Sequence, residues 1–260
     1  MRAYLLPAIA IVVAATLASG ARADVKNAPY PEIKVTLSKS YKPDAAFEKM
    51  RAAFAGAVAK KDAAALFALV GPTFVWTSDN EPVENFDMGR DALHNFKVVF
   101  GFRPYGKDAD GNVEDGPYWD ALATFASDAT YYQATDIGDL ICAPMAAEIA
   151  DDDVFEQARK KIETDDDGAD WYFTLSEVAV AKAPGDSGPP IAKLGNVALP
   201  VLGTFPPTEN ATPSHLQVLL PSGNPGWIPA AAARPLENNR LCYAKTVNGE
   251  WKIVAFDESE

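Results

Sequence analysis

Histidine and cysteine are scarce: the 260-residue chain holds two of each, His94 and His215, Cys142 and Cys242. A structural or catalytic metal site built from imidazole and thiolate needs more ligands than this set readily supplies, and a catalytic cysteine needs a positioned base. No G-x-S-x-G stretch is present, and neither histidine has a serine or cysteine partner identifiable by spacing, so a nucleophilic triad is not indicated. Basic residues are also in deficit, 23 against 36 acidic. A surface that must neutralise phosphate is cationic, so neither nucleic acid nor an anionic membrane is expected as a partner. Long apolar runs are missing after the first two dozen residues, and no internal repeat or low-complexity tract occurs. No later stretch is expected to span a bilayer.

What stands at the beginning is Met1-Arg2, an apolar run over 3–18, then Ser19-Gly20 and Ala21-Arg22-Ala23. A short basic end, an apolar stretch and a small-residue A-x-A site form the layout of a secretory signal peptide, with cleavage expected after Ala23. Removing residues 1–23 takes away two of the 23 basic residues and none of the 36 acidic ones, so the formal charge goes from −13 to −15. An even pair of thiols in an exported chain reads first as one disulfide, here Cys142–Cys242. The expected location is periplasmic or extracellular.

An extended, proline-punctuated lead-in is followed by Phe47, Met50, Phe54 and Val58 at three- and four-residue steps, which predicts an amphipathic helix capped by Asp44. Asp62 is placed to cap a second helix over 63–70, stopped by Gly71-Pro72. A strand at 73–77 and helices over 90–100, 118–126 and 155–162 follow, with an apolar anchor around Cys142 and a domain boundary at the acidic turn 165–168. From Trp171 the texture changes to short strands between Gly and Pro: 172–181, 191–194, 197–205, 215–220, 226–229, 241–246 and 251–256. Asn248-Gly249 between the last two is a hairpin signal, since both positions tolerate positive φ.

Two acidic stretches need a separate reading. Residues 108–114 alternate oxygen ligands (Asp108, Asp110, Asn112, Glu114), and Asp165 to Asp170 form another acidic turn. Gly111 falls at the fourth position of the first loop where a calcium loop wants it at the sixth, and no bidentate glutamate follows at the right distance. Solvated turns are the expectation, and no metal or cofactor is assigned.

Val178-Ala179-Val180-Ala181-Lys182-Ala183-Pro184, Leu216-Gln217-Val218-Leu219-Leu220-Pro221-Ser222-Gly223 and Gly226-Trp227-Ile228-Pro229 together resemble bacterial SH3-like (SH3b) domains over about 172–236. Lys182 stands where arginine is usual, and 203–214 is longer than the common connecting loop. The resemblance implies a small β-barrel with a groove around Trp227, Lys182 and His215 for an extended peptide or glycan of the cell wall. The N-terminal half, with its helical hairpin, the Phe74-Val75-Trp76 strand and Gly89-Arg90-Asp91-Ala92-Leu93, is similar to the opening of NTF2-like folds. That similarity implies a small-molecule enzyme of isomerase or dehydratase type with Asp79 and His94 as acid–base candidates.

The expected protein is therefore α+β: a mostly helical N-terminal lobe over 24–165 and an SH3-like barrel with a C-terminal hairpin over 170–260, joined by the disulfide. The expected function is non-catalytic binding or scaffolding at the cell envelope, with a cell-wall peptide or envelope protein as partner; the enzyme is the alternative.

Overall fold

A computed structural model describes residues 25–78, 81–82, 91–103, 117–135, 140–164, 170–207 and 212–258. The signal segment 1–23, Asp79, the acidic loop 108–114 and Asp165 to Gly168 of the expected boundary lie outside the described residues.

The N-terminal half runs β1 (Ile33–Leu37), α1 (Ala45–Ala59), α2 (Ala63–Phe67), β2 (Val70–Ser78), β3 (Glu81–Pro82), α3 (Ala92–Val99), α4 (Trp119–Ser127), β4 (Tyr132–Ala134), β5 (Leu140–Ala143), β6 (Ala147–Ile149) and α5 (Asp152–Ile162). Then come β7 (Trp171–Thr174), β8 (Val178–Val180), β9 (Ala192–Leu194), β10 (Val197–Phe205), β11 (His215–Leu219), β12 (Pro225–Pro229), β13 (Ala233–Pro235), β14 (Arg240–Lys245) and β15 (Trp251–Glu258). Four helices begin on an aspartate whose carboxylate accepts a first-turn N–H. Asp44 takes Phe47, Asp62 takes Ala65, Asp91 takes His94 and Asp151 takes Val154, at 2.8, 3.0, 2.8 and 3.1 Å. An anionic cap satisfies an orphan donor and complements the positive end of the helix. Asp44 has a second task, because Lys245 Nζ and Trp251 Nε1 from the C-terminal hairpin donate to it at 2.7 and 3.2 Å. The Lys245 ammonium, with the Phe47 N–H, draws its carboxyl from an ordinary 3.8 down to about 2.

Six strands form one sheet in the order β3-β2-β15-β14-β5-β4, with β15 parallel to β2 and its neighbours otherwise antiparallel. The second sheet runs β12-β11-β10-β1-β6, with β7 also on β10 and β13 on β7. The expectation of a helical N-terminal lobe followed by a small SH3-like barrel is overturned. Among the described residues strands take 36 % against 26 % in helices, the strands gather in large sheets, and no barrel closes. Both chain ends cross over. The N-terminal strand β1 lies between β10 and β6, and the C-terminal hairpin β14–β15 is inserted between β2 and β5 at the centre of the first sheet. The physical reason is burial on two faces. Leu241, Tyr243, Ile253 and Phe256 of the hairpin are buried in one cluster with Phe47, Phe54, Leu66, Phe96 and Leu122 of the helices. The helices' apolar stripes are thus covered by strands distant in sequence.

A smaller correction concerns 63–70. The helix ends at Phe67, and Val70 already belongs to β2. Gly71 serves close approach there, since a Cβ would come within 2.9 Å of Val254 Cγ1.

A second cluster sits between the sheets under α5 and holds Ile33, Tyr132, Phe155, Trp171 and both cysteines. Cys142 and Cys242 are direct register partners on β5 and β14 and form the disulfide across 100 residues of sequence. A third cluster, with Val180, Leu199, Val218 and Ile228, fills the inner face of β8 to β12.

Candidate ligand cavity

Arg51 organises the site from behind its wall, without lining it. It follows Phe47 by four residues and precedes Phe54 by three, so it sits on the apolar stripe of α1 and is only 6 % exposed. Its Nε donates to Tyr131 Oη at 2.5 Å and its Nη1 to Tyr243 Oη at 3.0 Å. Its Nη2 donates to the carbonyls of Phe125, Ala126 and Asp128 at 3.0, 3.0 and 2.7 Å. A cation is therefore lodged at the negative end of α4, where carbonyls lack intrahelical donors. Burial pushes the Tyr131 and Tyr243 phenols above their ordinary value, against the opposing pull of the guanidinium.

Asp128, fixed at the end of α4, reaches across to the other sheet. Its Oδ1 accepts from the N–H and hydroxyl of Thr130, and its Oδ2 accepts from Arg234 Nε of β13 at 2.7 Å. With side-chain exposures of 18 % for Arg234 and 11 % for Asp128, the pair is sheltered enough to hold the two sheets in a set relation.

Between α3, α4, the end of β15 and the chain from Arg234 to Asn239 lies a cavity of about 770 Å³. Its apolar wall comprises Trp76, Val98, Val99, Phe100, Tyr118, Ala121, Phe125 and Phe256. Phe100, Phe125 and Phe256 form a contiguous aromatic group, with centroids 5.4, 6.0 and 6.4 Å apart. Polar groups are few: Asp128 with Arg234, Glu237, Asn238, Asn239 and Glu258, the last accepting from Trp76 Nε1 at 3.2 Å. A mostly apolar concavity with a small number of placed polar groups is the usual character of a small-molecule site.

The residues proposed from sequence lie elsewhere. Trp227 pairs in register with Gln217 and exchanges backbone hydrogen bonds with Ala181, both at 2.9 Å. Lys182 follows at that edge and is exposed. His215 is two residues from Gln217 on the same face, opposite Phe205, and its Nδ1 is 3.0 Å from Ser214 Oγ. Trp227 meets Phe205 edge-on at 6.4 Å, and Phe205 is 44 % exposed. Trp227, His215 and Phe205 thus share an outer sheet face, and neither they nor Lys182 line the cavity. His94 sits in the first turn of α3, also off the cavity wall, and its intended partner Asp79 is outside the described residues. Among the described residues no group of three or more His, Cys, Asp or Glu is arranged to hold a metal ion.

Sequence reasoning missed Arg51, Asp128 and Arg234. The signal was present for Arg51: a charged residue at a position where helical periodicity demands an apolar one. Asp128 and Arg234 are 106 residues apart and carry no mutual mark in the sequence. No protein family's sequence profile matches the chain, and no curated protein and no solved structure matches it either.

Proposed function

We propose that the protein is a non-catalytic binding protein of an oxidising compartment outside the cytoplasm, and that its cavity holds one small, largely apolar molecule. The observation that carries this reading is the aromatic cavity of about 770 Å³, within the size range of small-ligand sites, with the Asp128–Arg234 pair among its few polar lining groups. The carboxylate and the guanidinium Nε and Nη1 of that pair are committed to each other and to local backbone, which suits a wall better than proton transfer. The Cys142–Cys242 disulfide supports the compartment, since such bonds persist where thiols are not kept reduced. Among the described residues no helix is long and apolar enough to cross a membrane.

Titration with the neutral fluorophore N-phenyl-1-naphthylamine tests the cavity. Saturable enhancement is expected at one probe per chain, with a dissociation constant on the order of 1–10 µM. Ala121 is exposed on α4 at the cavity rim, so Ala121→Trp fills the space without disturbing the core, and binding should weaken at least about tenfold, more than 1.4 kcal/mol. Absence of enhancement with the wild-type protein sinks the reading.

A second reading rests on the Phe205–Trp227 pair, with Phe205 exposed and Trp227 partly so, on the face that also carries His215, in the stretch similar to SH3-like sequences. Aromatic rings on an open sheet face suit stacking against an extended peptide or a sugar. The mature protein should then be retained on purified cell-wall sacculi at low salt and released by Trp227→Ala. Wild-type protein in the flow-through excludes this use of the face.

A further inference from the structure

We propose that Arg234 is the recognition residue of the cavity and that it selects ligands carrying a neutral carbonyl oxygen on an apolar body. This deepens the cavity reading and rests on it. A guanidinium has five N–H donors in a planar fork. Arg234 Nε is engaged by Asp128 Oδ2 at 2.7 Å, and Nη1 by the carbonyls of Ala233 and Ala231 at 2.7 and 3.3 Å. Nη2 has no acceptor among the described residues and is not among the sealed polar atoms, while the side chain lines the cavity. The fork is locked on two sides, so its remaining donors are aimed without further ordering of the side chain.

The charge of the surroundings decides which acceptor fits. Arg234 is already paired with Asp128, and Glu258 also stands on the wall, so the described charged residues there include no surplus cation. A carboxylate or phosphate ligand would enter a largely apolar space and lose its hydration to meet a guanidinium whose charge Asp128 already balances. A ketone or amide oxygen accepts from Nη2 and brings no charge to desolvate. The aromatic group of Phe100, Phe125 and Phe256 takes the hydrocarbon part.

The test is displacement of N-phenyl-1-naphthylamine by a set of naphthalenes matched in size: 1-acetonaphthone, 1-ethylnaphthalene, 1-naphthoate and 1-(1-naphthyl)ethylamine at pH 7. The ketone is expected to bind about 5- to 10-fold more tightly than the hydrocarbon, as one hydrogen bond to a charged donor allows, and the carboxylate most weakly. In Arg234→Met the ratio of ketone to hydrocarbon affinity should fall to about one, whatever the change in absolute affinity. Should that variant lose hydrocarbon binding, Arg234→Lys replaces it, and the ketone preference should fall to half or less. Equal ketone and hydrocarbon affinity in the wild type, a carboxylate or amine that binds tightest, or a preference that survives these substitutions overturns the proposal and leaves the cavity standing. If the fluorophore itself does not bind the wild type, the cavity reading falls and this proposal with it.

Discussion

Replacing Arg51 by methionine is expected to destabilise the protein by about 3–5 kcal/mol, an effect large against the total stability of a domain. The guanidinium satisfies Tyr131 and Tyr243 hydroxyls and three carbonyls at the end of α4 in a site that is 6 % exposed. Methionine matches the length and apolar character of the stem but leaves those acceptors without donors in a dry interior, where each unsatisfied group costs about 1–3 kcal/mol. Part of that is offset, because a buried cation is no longer desolvated. Lysine in the same place keeps the charge but cannot span both phenols and the helix end with one ammonium, so Arg51→Lys should fall between wild type and Arg51→Met. Urea denaturation of the three proteins measures this as a shift in midpoint at constant slope. An Arg51→Met protein within about 1 kcal/mol of wild type would show that the network is dispensable. The same variant should weaken fluorophore binding, since Asp128 is held at the cavity wall by the helix end that Arg51 caps.

Loss of the disulfide should be comparably severe. The bond closes 100 residues of sequence, and in the chain-entropy model a loop of that size restrains the unfolded chain by about 4–5 kcal/mol. Both cysteines are fully buried between the sheets, so Cys142→Ala with Cys242→Ala also leaves under-packed space near Tyr132 and Trp171. The double variant is expected to lose about 2–5 kcal/mol in urea, and the wild type treated with reductant should lose a similar amount. A double variant that unfolds at the wild-type midpoint would mean that the β5–β14 pairing holds the crossover without the bond. The position gives the reason for the expected effect: β14 is where the C-terminal hairpin enters a sheet whose other members all lie between Val70 and Ala143.

Much of the local structure was legible. The three- and four-residue spacing of Phe47, Met50, Phe54 and Val58 marks the face of α1 that is buried, and Asp44 and Asp62 cap the helices they precede. Asn248-Gly249 turns between β14 and β15, with Gly249 at φ +80°. The two cysteines are bonded to each other. The architecture and the cavity were not legible. The near-continuous apolar runs Leu241 to Ala244 and Ile253 to Phe256 say that the hairpin is covered on both faces, and they are silent on what covers it.

Residue order by itself determined where helices begin, which of their faces turn inward, where the last hairpin bends and that a single disulfide is available. These depend on neighbours within about a turn or two, where propensity, capping and side-chain periodicity act. Only the tertiary structure decided that β1 joins β10 and β6, that β15 runs parallel to β2, that Arg51 is buried, and that Asp128 meets Arg234 at the wall of a cavity. A strand edge offers the same row of donors and acceptors to any partner, and an apolar stripe accepts any apolar cover. The choice among partners is made by simultaneous burial of every such face, which no local stretch of sequence encodes.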